Sequence, residues 1–73
     1  MIRYDRLWAV MKEKGVSTYR LREDHGFNSK TISKLRNNEN VTTNTLNKLC
    51  AILDCELSDI VRYEKDETDE TIE

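Results

Sequence analysis

The chain has 73 residues, of which 36% are charged and 37% hydrophobic, and a formal net charge of −2 at pH 7. This length leaves room for one small domain, and a single histidine without a phosphate-cradling glycine loop argues against an enzyme. No apolar stretch approaches the roughly 18 residues of a membrane span, and the first residues lack a signal peptide's apolar core, so we expect a cytoplasmic protein.

Capping residues and apolar spacing predict two short helices in the first third of the chain. Asp5 is expected to cap the first helix and Gly15 to end it. Ser17 is expected to cap the second helix and Gly26 to close it in the left-handed conformation. Their predicted core residues are Leu7, Trp8, Met11 and Leu21.

Three more helices are predicted after Gly26. The third begins at Asn28 or Ser29, and Asn38 is the best candidate for a left-handed residue after its end. Thr42 caps the fourth helix, and a short fifth helix follows. The residues predicted to face inward are Phe27, Ile32, Leu35, Leu46, Leu49, Cys50, Leu53, Leu57 and Ile60.

The two ends of this helical region have a β-prone composition. Residues 1–4 and residues 60–64 could each form a short strand, and the two could pair within one chain or between two chains. Cys50 and Cys55 are expected to be buried, reduced thiols, since a metal site would need two more ligands and only one histidine is available. We therefore predict an all-α domain with an optional terminal strand pair and no metal.

The charges are distributed unevenly along the chain. Residues 64–73 contain six acids and one base, a net charge of −5, so residues 1–63 carry a net charge of +3. Residues 17–38 alone contain five bases and two acids, again a net charge of +3. We therefore expect a basic folded domain, residues 1–63, followed by an acidic, mobile and solubilising tail, residues 64–73.

The segment from Ser17 to Leu35 predicts a helix-turn-helix. Gly26 lets the chain reverse direction between the second and third helices, and Phe27 fills the angle between them. Ile32 and Leu35 would then anchor the third helix, so that its opposite face projects into solvent.

The same residues resemble the Cro/cI-type (Xre-like) helix-turn-helix family, over a span from about Tyr4 to Val61. The matching positions of the motif are Leu21, Gly26, Phe27, Asn28, Thr31, Ile32, Ser33 and Leu35, followed by Thr45, Leu46, Lys48 and Leu49 in the next helix. The resemblance is strongest to a subgroup of small stand-alone regulators. It implies a five-helix domain that binds double-stranded DNA through its third helix, as a homodimer at least on DNA.

Carried over to this sequence, the resemblance assigns two groups of DNA-contacting residues. The base contacts would be Ser29, Lys30 and Lys34. The contacts to the DNA backbone would be Thr18, Asn28, Arg36 and Asn37.

Four positions depart from the family pattern. Arg22 stands where the family has an alanine at the helix crossing, and His25 stands where it has an apolar residue. Asn38 replaces the glycine that follows the recognition helix, and Glu39 lies in a loop that is usually basic. These departures leave the motif intact, and Glu39 predicts a weaker phosphate grip at that loop.

The function predicted from the sequence is a transcriptional regulator that binds a palindromic operator through a major-groove recognition helix. The alternative is a protein-interaction module of the antitoxin or antirepressor kind, which keeps the fold without binding DNA. The overall acidity and Glu39 favour the alternative, whereas the net charge of +3 in the motif favours DNA. A chain of this length has no room for an effector domain, so neither a small-molecule effector nor a cofactor is expected.

Overall fold

The computed structural model describes residues 1–65, which form five helices and one pair of short strands. In chain order these are β1 (Ile2–Arg3), α1 (Asp5–Lys14), α2 (Thr18–His25), α3 (Ser29–Arg36), α4 (Thr43–Leu53), α5 (Leu57–Ile60) and β2 (Arg62–Tyr63). The predicted all-α fold with a terminal strand pair is confirmed. Most of the predicted acidic tail, residues 66–73, lies outside the described residues, so the division into domain and tail stays a prediction.

Most helix ends are set by the residues that the sequence indicated. Gly15 and Gly26 end α1 and α2 in the left-handed conformation, with φ of 73° and 75°. The side chains of Ser17, Asn28 and Thr42 each accept a hydrogen bond from the backbone N–H three residues later. Each bond satisfies one of the N–H groups that the first turn of a helix leaves without an intrahelical partner.

The start of α1 differs from the prediction. Tyr4, not Asp5, is the N-cap residue, and no side chain caps this helix. The Asp5 carboxylate instead lies 2.9 Å from the Arg3 guanidinium and 3.1 Å from that of Arg62. Two charge-assisted partners compete successfully with one backbone N–H. They lower the pKa of Asp5, the hydrogen bond from Arg3 being the largest cause.

The two strands form an antiparallel ribbon, β1–β2, that joins both ends of the described chain. In its register Ile2 lies opposite Tyr63 and Arg3 opposite Arg62. The Met1 ammonium donates a hydrogen bond to the Glu64 carbonyl, and the Glu64 N–H donates one to the Met1 carbonyl. Of the two pairings that the sequence left open, the structure has the one within a single chain.

All five helices contribute to one core. Its buried side chains are those of Tyr4, Leu7, Met11, Leu21, Phe27, Ile32, Leu35, Leu49, Leu53 and Ile60. The predicted burial of Leu57 is wrong, since its side chain is 51% exposed. Leu57 is the first residue of the one-turn helix α5, and it lines a surface groove together with Leu46. Cys50 and Cys55 are unpaired thiols, but they are half-buried rather than fully buried.

None of the helices within residues 1–65 is long and apolar enough to cross a membrane.

Candidate nucleic-acid interface

The third helix is fixed to the domain by one face and exposed on the other. Ile32 and Leu35 are 5% and 0% exposed, and Phe27 is buried in the turn between α2 and α3. Ser29 and Lys30 lie at the exposed start of α3. Anchoring one face in this way leaves the other free to enter a major groove, which is how a helix-turn-helix reads DNA.

The three predicted base-contacting residues have different surroundings. Ser29 and Lys30 are exposed, whereas Lys34 is half-buried and lines a small cavity with Val41 and Thr45 beside the loop between α3 and α4. Neither lysine forms an ion pair with any carboxylate of residues 1–65. Their ammonium groups therefore remain available to an acceptor on a bound molecule.

Two of the predicted backbone-contacting residues touch one another. The Arg36 guanidinium donates a long hydrogen bond, 3.5 Å, to the Thr18 hydroxyl at the start of α2. It also lies over the ring of Trp8, 5.9 Å from the ring centroid, where a cation is attracted to the π electrons. Trp8 was predicted as a core residue, and the structure shows it half-buried with one ring face towards Arg36. These contacts restrict the orientation of the Arg36 side chain.

The other two predicted backbone-contacting residues lie at the ends of α3. Asn28 is exposed, and its side-chain oxygen already accepts the capping hydrogen bond from the Thr31 N–H at 2.7 Å. Its amide nitrogen is the group that it can still offer to a phosphate. Asn37 is exposed and forms the C-cap of α3.

A groove of about 310 Å³ lies between α2 and α3. Its walls are formed by Thr18, Arg22, Ser29, Ile32, Ser33 and Arg36. The groove thus brings together two predicted backbone-contacting residues, Thr18 and Arg36, and one predicted base-contacting residue, Ser29. Lys30, Lys34, Asn28 and Asn37 are not among its lining residues.

Arg22 and Ser33 also line this groove, and the sequence analysis did not assign them to the site. Residues 18 and 22 of α2 are one helical turn apart, as are residues 29 and 33 of α3. That spacing was visible in the sequence. What the spacing could not give is which faces of the two helices meet across the turn.

The loop after α3 is held by the N-terminal segment. Asn38 has a positive φ of 56°, as predicted, and its side-chain oxygen accepts a hydrogen bond of 2.8 Å from the Tyr4 N–H. The Tyr4 hydroxyl donates a bond of 2.9 Å to the Glu39 carbonyl. Burial raises the pKa of Tyr4 above an ordinary value that already lies far above neutral pH, so the hydroxyl keeps the proton that it donates. The N-terminal segment therefore fixes the loop that follows α3.

Within residues 1–65 no three His, Cys, Asp or Glu side chains are grouped as metal ligands. Burial and then the neighbouring Cys50 raise the pKa of Cys55, which favours its thiol form over the reactive thiolate.

The domain has five helices, and α3, which follows the turn at Gly26, is exposed on one face. This arrangement defines a helix-turn-helix DNA-binding domain. A family model for the Cro/C1-type HTH DNA-binding domain matches residues 6–66, and the chain belongs to this family. The crystal structure of the transcriptional regulator VanUg is similar, with a TM-score of 0.80 and 31% identity over 89% of this chain and 87% of that one. Comparison with curated protein sequences found no significant match. The resemblance inferred from the motif is confirmed, as is its DNA-binding character.

Proposed function

We propose that this protein is a transcriptional regulator that binds a palindromic operator as a homodimer and reads its sequence with α3. The observation that carries this proposal is the placement of α3. Its apolar face is buried through Ile32 and Leu35, while Ser29 and Lys30 at its start are exposed. A rigidly held helix with an exposed polar face is what major-groove recognition requires.

In this proposal the two groups of contacts have different roles. Ser29, Lys30 and Lys34 contact base edges, and the lysines favour the acceptor atoms of guanine. Contacts to phosphates fix the position of the domain on the duplex without reading its sequence. These are made by Thr18, Asn28, Arg36 and Asn37.

The size of the domain supports a palindromic operator. One recognition helix of eight residues can reach only a few base pairs. Two domains related by a two-fold axis place two such helices in successive major grooves, about one turn of DNA apart. Doubling the contacts in this way supplies the specificity that one half-site lacks.

Selection from random duplex DNA at low salt tests the proposal. We expect enrichment of an inverted repeat, with a salt dependence that reports the number of phosphates contacted. Lys30→Ala should weaken the preference at one or two positions of each half-site, because a good base contact gives about 1–3 kcal/mol of discrimination. Arg36→Ala should lower the affinity for all sequences alike. If the folded parent protein enriches no sequence, the proposal is wrong.

The second candidate function is a protein-interaction module that keeps the fold without binding DNA. The observation in its favour is Glu39, an exposed acid beside the end of α3 whose backbone is fixed by the Tyr4 hydroxyl. A carboxylate at that place repels phosphates. A folded protein without DNA affinity at low salt would favour this candidate.

A further inference from the structure

We propose that the groove between α2 and α3 is a phosphate-binding cleft, in which Arg22 and Arg36 hold one phosphate of the DNA backbone from two sides. The inference rests on the proposed function and adds a residue to it. Arg22 stands at a position where the family pattern has alanine, so this contact would be a property of this chain rather than of the family.

The walls of the groove suit a phosphodiester. Three hydroxyl groups and two guanidinium groups line it, and the remaining lining residue is Ile32. Guanidinium groups bind phosphate oxygens in a bidentate manner, and the hydroxyl groups of Thr18 and Ser33 can donate to the remaining lone pairs, which leaves Ser29 for its base contact. No carboxylate lines the groove, so nothing within it neutralises the two arginines.

The two arginines on α2 differ in what they already bind. Arg20 lies 3.5 Å from the Asp24 carboxylate, one turn further along the helix. Arg22 is exposed and forms no ion pair with a carboxylate of the described chain. No carboxylate of the described chain therefore neutralises Arg22. Because Arg22 and Arg36 line the same groove, an anion there would be attracted by two positive charges.

Arg36 is already oriented before any ligand binds. Its contacts with the Trp8 ring and the Thr18 hydroxyl restrict its rotamers. A side chain restricted in this way loses less conformational entropy when it binds. The cleft thus combines one positioned cation, Arg36, with a second one, Arg22, that can close on the phosphate from the other helix.

The position of the groove favours a DNA phosphate over a free one. Ser29, a predicted base-contacting residue, forms part of its wall. When the start of α3 enters the major groove of DNA, the strand at the edge of that major groove passes close to α2. A phosphate of that strand is the one that we assign to the cleft.

The test compares Arg22→Gln with the matched control Arg20→Gln, which removes the same charge from the same helix. Arg22→Gln should lower the affinity for operator and unrelated duplex by the same factor, roughly three- to ten-fold at low salt. It should reduce the slope of log K against log salt by about 0.9 and leave the selected sequence unchanged. Arg20→Gln should leave the slope unchanged. Because both side chains are exposed, both variants should melt with the parent.

Three results would overturn the proposal while the proposed function stands. Equal losses in the two variants would mean that Arg22 contributes only net charge. Fully additive effects of Arg22→Gln and Arg36→Gln would mean that the two arginines do not share one phosphate. Inorganic phosphate could also change the NMR chemical shifts of groove residues in the parent. If Arg22→Gln abolishes these changes but leaves DNA binding unaltered, the cleft binds a free anion and not a DNA phosphate. Failure of the parent to select any DNA sequence would instead refute the proposed function itself.

Discussion

Replacing Asn38 with glycine restores the residue that the family pattern has after the recognition helix, yet we expect the change to destabilise this protein. Glycine adopts the left-handed conformation at φ 56° more easily than asparagine does. However, the Asn38 side-chain oxygen is the acceptor for the Tyr4 N–H at 2.8 Å. Glycine has no such acceptor, so this part-buried N–H would lose its partner.

The two effects differ in size. Relief of the left-handed conformation gains about 0.5–1 kcal/mol, since asparagine tolerates that region better than most residues. Loss of the acceptor for a part-buried backbone donor costs about 1–3 kcal/mol. The free energy of unfolding should therefore fall by up to about 2.5 kcal/mol, with a central value of about 1 kcal/mol. In a domain of this size each kcal/mol lowers Tm by roughly 4–8 °C.

Asp54 provides a matched control at the end of α4. It has φ 53°, is exposed, and its side chain makes no hydrogen bond or ion pair within residues 1–65. Asp54→Gly should therefore gain about 0.5–1 kcal/mol without an opposing loss. Thermal and urea unfolding, followed by far-UV circular dichroism, measures both variants. An Asn38→Gly protein that gains as much stability as Asp54→Gly would refute the role given to the bond with Tyr4.

Three further changes test other parts of the structure. Ile32→Ala should cost roughly 2–5 kcal/mol, because its side chain is only 5% exposed; a melting temperature equal to the parent's would contradict this. Asp5→Asn should be less stable than the parent above about pH 4, and the gap should close as pH falls through the lowered pKa of the folded protein's Asp5. If the urea midpoints of the parent and Asp5→Asn differ by the same amount at neutral and acid pH, the ionised Asp5 carboxylate does not cause the difference in stability. Deleting residues 66–73 removes five acids and should strengthen DNA binding modestly at low salt, with an unchanged selected sequence. Retention of the same affinity would show that the acids do not compete with DNA.

The features that the sequence predicted correctly are those with partners close along the chain. Ser17, Asn28 and Thr42 each bind an N–H three residues away, so their type and position were sufficient. Gly26 needed only its own tolerance of positive φ. The core face of α3 likewise followed from the helical period alone.

The features that the sequence did not predict depend on partners far along the chain. Asp5 was expected to cap α1, but its carboxylate binds Arg3, which is two residues away, and Arg62, which is 57 residues away; only the second partner is distant. Tyr4 was not assigned to the core. Its backbone N–H and its hydroxyl bind Asn38 and Glu39, which lie 34 and 35 residues away. Arg22 was noted only as a departure from the family pattern, because its position in the groove depends on which faces of two helices meet. The base contact of Lys30 stays a prediction, because a lysine that contacts a base and a solvated lysine are equally exposed in the free protein.

The β1–β2 ribbon also has a consequence for the kinetics of folding. It pairs Ile2 with Tyr63, so its formation must close nearly the whole described chain into a loop, whereas α2 and α3 are joined by a short turn. Contacts between neighbours in sequence form faster than such distant ones. The helix-turn-helix should therefore be organised before the ribbon, and changes in the ribbon should accelerate unfolding more than they slow folding. The DNA-reading unit would then fold at the rate of its own local contacts, while the lifetime of the native state depends on the two strands at its ends.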